Sequence, residues 1–364
     1  MLPEVADAPV TSTGERLVTL DVLRGIALFG MILVHFHQKM RIETSGVEDL
    51  IGWGVYIFVE QKAWATFAFL FGAGFAILLR NLDARGVPAA PVFLRRLAML
   101  AAFGVIAEVG FGFTILFSYA CWGLALFAVR RWPSRALFAV AAFAACARPI
   151  LWRVAPVPYT GPRLGAMLAA ASNQDSYLVL LSARWTVFVN SFPHSWRGLL
   201  PDVNLALFVL GLLAVRHGVL DRPREHVRTI VAWMALGACS WAAAWLLRIQ
   251  NGLGLIEDQW LCFTYIGAIV LLLAYRPAWS ARLATFGFAG RMALTNYMLQ
   301  IAVLDALASG YGAHLKLRPF VYAPAAVALF AVEAAASRAW LARFRYGPLE
   351  WIWRAVTYGK LRLV

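Results

Sequence analysis

Three residues near the N-terminus have the types and spacing to do chemistry together. Asp21 and Arg24 stand three apart in Leu20-Asp21-Val22-Leu23-Arg24-Gly25-Ile26-Ala27, and His35 follows eleven positions after Arg24. On a helix, residues three apart share a face. Eleven steps of about 100° bring His35 back to within about 20° of Arg24. The spacing therefore predicts one polar stripe along a single helix. A carboxylate at its start also suits the helix dipole. An imidazole near an aqueous face takes a proton from a hydroxyl or an amine; a guanidinium grips phosphate as a bidentate fork. The plainer alternatives are an Asp–Arg pair that locks the helix to a neighbour and a histidine that serves packing. His37 lies only two residues from His35, so on a continuous helix it faces elsewhere, and the two imidazoles make no metal-ligand spacing.

A second polar stretch reads Gly290-Arg291-Met292-Ala293-Leu294-Thr295-Asn296-Tyr297-Met298-Leu299-Gln300. Here Arg291 shares a face with Thr295, and Asn296 with Gln300. Asn296, Tyr297 and Gln300 have hydrogen-bond donors suited to a developing oxyanion; bonds between helices are the ordinary use of such groups. Glu108, Asp305 and Glu333 are further carboxylates inside apolar runs, each costly there unless paired. Arg291 could pair with one of them or with Asp21, a choice the sequence leaves open. No phosphate-binding loop, HExxH, GxSxG or paired-carboxylate glycosidase pattern occurs, and Gly72 and Gly74 read as close helix packing. Cys121, Cys146, Cys239 and Cys262 stand singly, as small buried hydrophobes do.

The elements that hold these groups are dictated by composition. Of 364 residues, 62% are hydrophobic and 14% charged, against about 25% charged in a soluble domain. A soluble enzyme, a disordered chain and a disulfide scaffold are all excluded. The formal charge of +14 gathers between apolar segments and comes with no RNP, zinc-finger or basic-zipper pattern, so nucleic acid is not expected. The class left is an all-α, polytopic transmembrane bundle. Runs long enough to cross a bilayer fall at 17–36, 63–79, 95–112, 114–130, 136–153, 201–216, 227–248, 259–275, 289–309 and 319–343, about ten helices in one transmembrane domain over 16–364. Gly110 and Gly112 alone punctuate the third and fourth. The stretch 50–60 is apolar but short, as a re-entrant or interfacial piece would be.

Basic residues split unequally between the two sets of connections, twenty against ten. The richer set holds Arg80, Arg85, Arg130, Arg131, Arg222, Arg224 and the C-terminal arginines, which predicts both termini in the cytoplasm. Residues 1–15 read as a short cytoplasmic tail. The longest connection, 154–200, then lies outside. It opens with Pro156, Pro158, Gly161 and Pro162, which forbid regular helix, and continues with an amphipathic helix from Tyr177 to Asn190 carrying Arg184 and Trp185. That helix either covers a site or lies on lipid.

Several of these motifs resemble the YeiB-like family of bacterial membrane proteins. Arg16 through Ala27 resembles its opening helix, and Lys62 through Phe75 its second. Phe208-Val209-Leu210-Gly211-Leu212 with Gly218-Val219-Leu220 resembles its mid-chain helix. Gly290 through Tyr297 and Gly347-Pro348-Leu349-Glu350-Trp351-Ile352-Trp353-Arg354 look like its C-terminal signatures. That family is similar to a broad group of transmembrane acyltransferases that includes heparan-α-glucosaminide N-acetyltransferase.

The resemblance implies a multi-pass protein of the bacterial inner membrane. It would take an acyl group, acetyl first of all, from cytoplasmic acyl-CoA and deliver it to an envelope or small-molecule acceptor on the far side. By position, Asp21, Arg24, Arg291 and Asn296 would serve the cofactor and His35, helped by His37, the reacting thioester; Tyr297 and Gln300 would contact the acceptor or the oxyanion. Many YeiB-like chains have Asn where this one has His35. Membrane lipids are expected partners, a homodimer is implied by analogy, and no metal is expected. The alternative is a transporter of a small or lipid-like solute, with Asp21, Glu108, Arg291 and Asp305 as an ion or proton pathway; no inverted repeat accompanies it.

Overall fold

The computed structural model describes residues 14–42, 46–113, 115–154, 162–191, 201–247 and 255–358. These form helices, with no strand among the described residues beyond one isolated bridge between Arg41 and Leu317. In chain order they are α1 (Gly14–Met40), α2 (Val47–Phe58), α3 (Lys62–Ala84), α4 (Ala89–Val105), α5 (Ile115–Val129), α6 (Ser134–Val154), α7 (Pro162–Ser172) and α8 (Tyr177–Ser191). The second half holds α9 (Val203–Arg216), α10 (Val227–Leu246), α11 (Cys262–Tyr275), α12 (Trp279–Arg282), α13 (Ala284–Arg291), α14 (Ala293–Ala308), α15 (Pro319–Leu341) and α16 (Pro348–Tyr358).

Among the described residues, five stretches are long and apolar enough to cross a membrane: Val18–Met40, Val47–Ala84, Val227–Leu246, Asp258–Tyr275 and Pro319–Leu341. Shorter apolar helices stand at Ile115–Val129, Tyr177–Asn190, Val203–Arg216 and Ala293–Ala308. The protein is thus an all-α, multi-pass membrane protein. The short apolar stretch at 50–60 proves to be α2, which leads through a turn at Gln61 into α3. The expected tail lies almost wholly outside the described residues, as do Pro156, Pro158, Gly161, Arg197, Arg248, Lys360 and Arg362.

The pairs α3–α9 and α1–α13 are joined backbone to backbone, and glycine makes each possible. On α3 and α9, a Cβ at Gly72 would collide with the Phe208 carbonyl and one at Gly211 with the Phe69 carbonyl. On α1 and α13, a Cβ at Gly25 would strike the Phe286 carbonyl and one at Gly290 the Asp21 carbonyl. Gly74 is different: a Cβ there would make only ordinary contact with the Arg24 guanidinium, at 3.6 Å. Around the first pair packs an aromatic core of Phe69, Phe71, Tyr119, Phe208 and Phe263, in which the Phe71 and Phe208 rings stack at 4.5 Å. Around the second, Phe29 lies against Phe286 and Phe330, tying α1 to α13 and α15.

Two departures from regular helix shape the interior. After α4 the chain widens into a π-helical turn, Ile106–Gly110, then breaks at Gly112 with φ +75°. Such a turn inserts an extra residue and rotates the chain beyond it. The helix expected at 289–309 is interrupted at Met292 and splits into α13 and α14. The carboxylate of Glu350 on α16 caps the second piece, accepting from the Leu294 and Thr295 amides at 2.7 and 3.0 Å and from the Thr295 hydroxyl at 2.5 Å. Burial pushes the Glu350 carboxyl up, while the bonds from Thr295 and Leu294 hold it down. A negative charge at a helix N-terminus is favourable.

Candidate active site

The polar stripe of α1 opens into two cavities, one at each end. Asp21 and Arg24 pair at 2.7 Å, and Arg24 lines a cavity of about 350 Å³ near the N-terminal end of the helix. Three more arginines line it, from three other elements: Arg96 of α4, Arg291 of α13 and Arg354 of α16. Aromatic faces hold two of them, with Arg96 3.7 Å over the Trp353 ring and Arg354 4.3 Å over that of Tyr346. Its one lining carboxylate, Glu350, is already engaged at the start of α14. Four guanidinium groups around one hollow could hold an anion, since arginine presents forked donors matched to phosphate oxygens.

His35 lines the second cavity, about 780 Å³, together with Gln38, Lys39, Glu60, Trp64, Glu108, Phe113, Trp122, Arg148 and Asp202. The imidazole is buried, 4% exposed, and packs 4.4 Å from the Phe113 ring and 6.2 Å from that of Tyr297. Its Nδ1 has no hydrogen-bond partner among the described residues. Most other charges there are engaged: Gln38 donates to Glu60 at 2.8 Å, Arg148 to Asp202 at 3.0 Å, and Lys39 sits over Phe113 at 4.9 Å. Glu108 rides on the π-helical turn. The cavity therefore offers a buried imidazole among groups that can hold hydroxyls or amines.

The remaining expected site residues are placed differently. His37 faces α15, its Nδ1 2.8 Å from the Tyr322 hydroxyl and its Nε2 3.4 Å from Arg41, and it lines neither cavity. Asn296 donates to the Ala289 carbonyl at 3.1 Å and to Ser337 at 2.9 Å, bracing α14 against α13 and α15. Gln300 is fully buried with no partner for its amide among the described residues, away from both cavities. Tyr297 lines both cavities, as do Met31 and Ile115.

Asp305 is paired from an unexpected direction. Arg184 of α8 reaches it through two bonds, Nη2 to Oδ1 at 2.5 Å and Nη1 to Oδ2 at 2.9 Å. Ser309 and Tyr311 donate to the same carboxylate at 2.9 and 3.0 Å. Burial and the neighbouring Asp305 push the Tyr311 hydroxyl up, so it remains a donor. Arg184 also donates to the Gly110 carbonyl at 2.6 Å, and Tyr177 to the same oxygen at 3.1 Å. The amphipathic helix thus turns its arginine inward and leaves Trp185 exposed, bolting itself to the turn that carries Glu108. Sequence signals existed for Arg96 and Arg354, one in a basic cluster and one in the Gly347–Arg354 motif; nothing local marks either as a cavity residue.

Comparison with known proteins divides the chain in two. Residues 16–193 match the family model "Heparan-alpha-glucosaminide N-acetyltransferase, catalytic", and residues 214–360 match "Protein of unknown function (DUF418)". The chain is 28% identical to "Uncharacterized protein YxaH" of Bacillus subtilis (strain 168), covering 96% of each. It is 26% identical to "Uncharacterized protein YeiB" of Escherichia coli (strain K12), over 94% of this chain and 96% of that one. The chain is thus similar to YxaH and YeiB over nearly its whole length. It is also 28% identical to the "Uncharacterized 39.9 kDa protein in amylase 3'region" of Bacillus acidopullulyticus, covering 95% of each. No solved structure matches it significantly. Each cavity draws on both matched stretches. Arg24 and Arg96 meet Arg291 and Arg354 in one cavity, and His35 and Glu108 meet Tyr297 in the other.

Proposed function

We propose that this protein is a membrane-embedded acyltransferase that takes an acyl group from acyl-CoA on the cytoplasmic side and passes it to a hydroxyl or amine acceptor on the other. One observation carries the reading: an arginine-lined cavity and a histidine-lined cavity lie along one face of α1 and meet at shared residues. Arg24 and His35 are eleven residues apart, about 16 Å along a helix axis. A donor whose anionic part sits at one and whose reacting carbon sits at the other must be long and charged at one end, as a CoA thioester is. The match of the first half to an N-acetyltransferase catalytic model supports the same chemistry.

In this reading the ten apolar helices are spans with both termini in the cytoplasm, as the excess of basic residues on that side favours. The arginine cavity faces the cytoplasm, and α8, fastened through Arg184 and Tyr177 to the Gly110 carbonyl, lies on the outer side of the inner membrane. Arg24, Arg96, Arg291 and Arg354 hold the donor's phosphates. His35 takes the proton from the acceptor as its oxygen or nitrogen attacks the thioester carbonyl; the new C–O or C–N bond forms, the C–S bond breaks, and the CoA thiolate leaves with a proton. A relay through an acyl-imidazole reaches the same products. Tyr297 stands where the thioester arrives. The pathway expected of a transporter loses two groups, because Asp21 pairs with Arg24 and Asp305 with Arg184.

The test is turnover with acetyl-CoA and a panel of hydroxyl- and amine-bearing acceptors, read as released thiol. His35→Ala is expected to lower turnover by about 10²–10⁴-fold, the range of a lost general base, while acetyl-CoA still raises the unfolding temperature. Full turnover in His35→Ala removes the histidine from the chemistry. Gradient-driven solute flux without any CoA binding moves the protein to the transporter class.

A further inference from the structure

The two cavities share three lining residues and no others: Met31 of α1, Ile115 at the start of α5 and Tyr297 of α14. Met31 and Tyr297 are nearly fully buried, at 5% and 6% exposure. Three helices thus each contribute one bulky side chain to the lining that the two cavities share. Met31 lies four residues before His35 on the same face, about 6 Å toward the arginine cavity. A thioester presented to His35 must therefore send its acyl group past these three side chains before the sulfur arrives. The acceptor, entering from the other end, need not cross them.

We propose that Met31, Ile115 and Tyr297 form a steric neck that selects the acyl group, admitting slender unbranched groups and rejecting aromatic ones. This rests on the acyl-CoA reading of the arginine cavity. The side chains suit the task. Met31 is unbranched, with rotatable bonds that let a thin chain slide by. Ile115 is β-branched and stiff at χ1, and the tyrosine ring is flat and rigid. A planar aromatic acyl group meets both stiff walls at once. Close-packed interiors do not widen freely to accept such a load.

The selection is measurable without knowing the acceptor. In a Cys121→Ser background, which removes the native thiol lining the histidine cavity, His35→Cys places a thiol beyond the neck. That thiolate attacks the carbonyl of an acyl-CoA, forming a new thioester as the C–S bond to CoA breaks and CoA thiolate leaves; peptide mass spectrometry counts the adduct at position 35. Acetyl-CoA is expected to label position 35 at least about tenfold more than benzoyl-CoA, the scale on which pockets discriminate by shape. Adding Met31→Ala or, separately, Ile115→Ala is expected to bring benzoyl labelling to within about threefold of acetyl.

Equal labelling by both donors through the native neck overturns the proposal, as does benzoyl exclusion that persists in both alanine variants. Should Met31→Ala fail to fold, Ile115→Ala and the native comparison still decide. Thermal shift with CoA alone separates the two claims. Binding with the wrong selectivity sinks only the neck, whereas no binding sinks the donor reading and the neck with it.

Discussion

Arg184→Met removes one half of a buried ion pair, and its cost can be set against an exposed pair in the same molecule. Arg184 and Asp305 are 6% and 2% exposed and meet through two bonds, and Arg184 also holds the Gly110 carbonyl. Deleting one member of such a pair leaves an uncompensated charge in a low dielectric, a loss of about 3–5 kcal/mol. Asp305 would keep bonds from Ser309 and Tyr311, which places the expected loss near the lower figure. At roughly 2 °C per kcal/mol for a chain of this length, that is a fall of about 6 °C in unfolding midpoint.

The exposed comparison is Arg80–Asp221, with side chains 45% and 22% exposed at 2.6 Å. There Arg80→Met should cost about 1 kcal/mol or less, within about 2 °C. Fifteen tryptophans make intrinsic fluorescence in detergent a suitable readout. The double variant Arg184→Met with Asp305→Leu should recover more than half of the loss, because apolar replacement of a whole buried pair is often neutral. Equal shifts for Arg184→Met and Arg80→Met, or simple addition of the two single losses in the double variant, would refute the claim that this pair fastens α8 to the bundle.

Three other contacts give expected outcomes of their own. His37→Phe should cost about 1 kcal/mol through its lost bond to Tyr322 while leaving turnover in place, whereas His35→Ala removes turnover; assays on both variants compare them. Gly72→Ala places a Cβ against the Phe208 carbonyl and should cost about 1–3 kcal/mol or more, seen as loss of the monodisperse peak in fluorescence-detected chromatography. Gly165→Ala, with open space around it, should elute unchanged. Glu350→Ala strips three bonds from the start of α14 and should destabilise by about 1–3 kcal/mol, read by thermal unfolding, with Glu350→Asp restoring part of it.

Helices were legible in the sequence wherever apolar runs were long. The stripe on α1 was legible because helical spacing alone puts Asp21, Arg24 and His35 in line, and Asp21 does pair with Arg24. The same arithmetic turned His37 away from His35, and it lies against α15. The features that stayed hidden depend on contacts distant in sequence. Asp305 finds Arg184 across 121 positions, a partner no local pattern names, and Arg291 makes a long bond to the Arg345 carbonyl at 3.4 Å, equally unmarked in the sequence. The π-helical turn under Glu108 has no residue-type signature. Asn296 and Gln300 carried a polar signal on α14, yet neither lines a cavity: Asn296 bonds to α13 and α15, and the Gln300 amide is buried without a partner among the described residues.

The central claim is that the arginine cavity is the donor site, and calorimetric titration of CoA into purified, detergent-solubilised protein tests it most directly. Saturable binding is predicted, weakened about tenfold or more by Arg24→Ala or Arg291→Ala, as loss of a charge-assisted bond of about 1.5–3 kcal/mol requires, and unchanged in His35→Ala. Absence of binding to folded protein, or binding that neither arginine variant weakens, would contradict it.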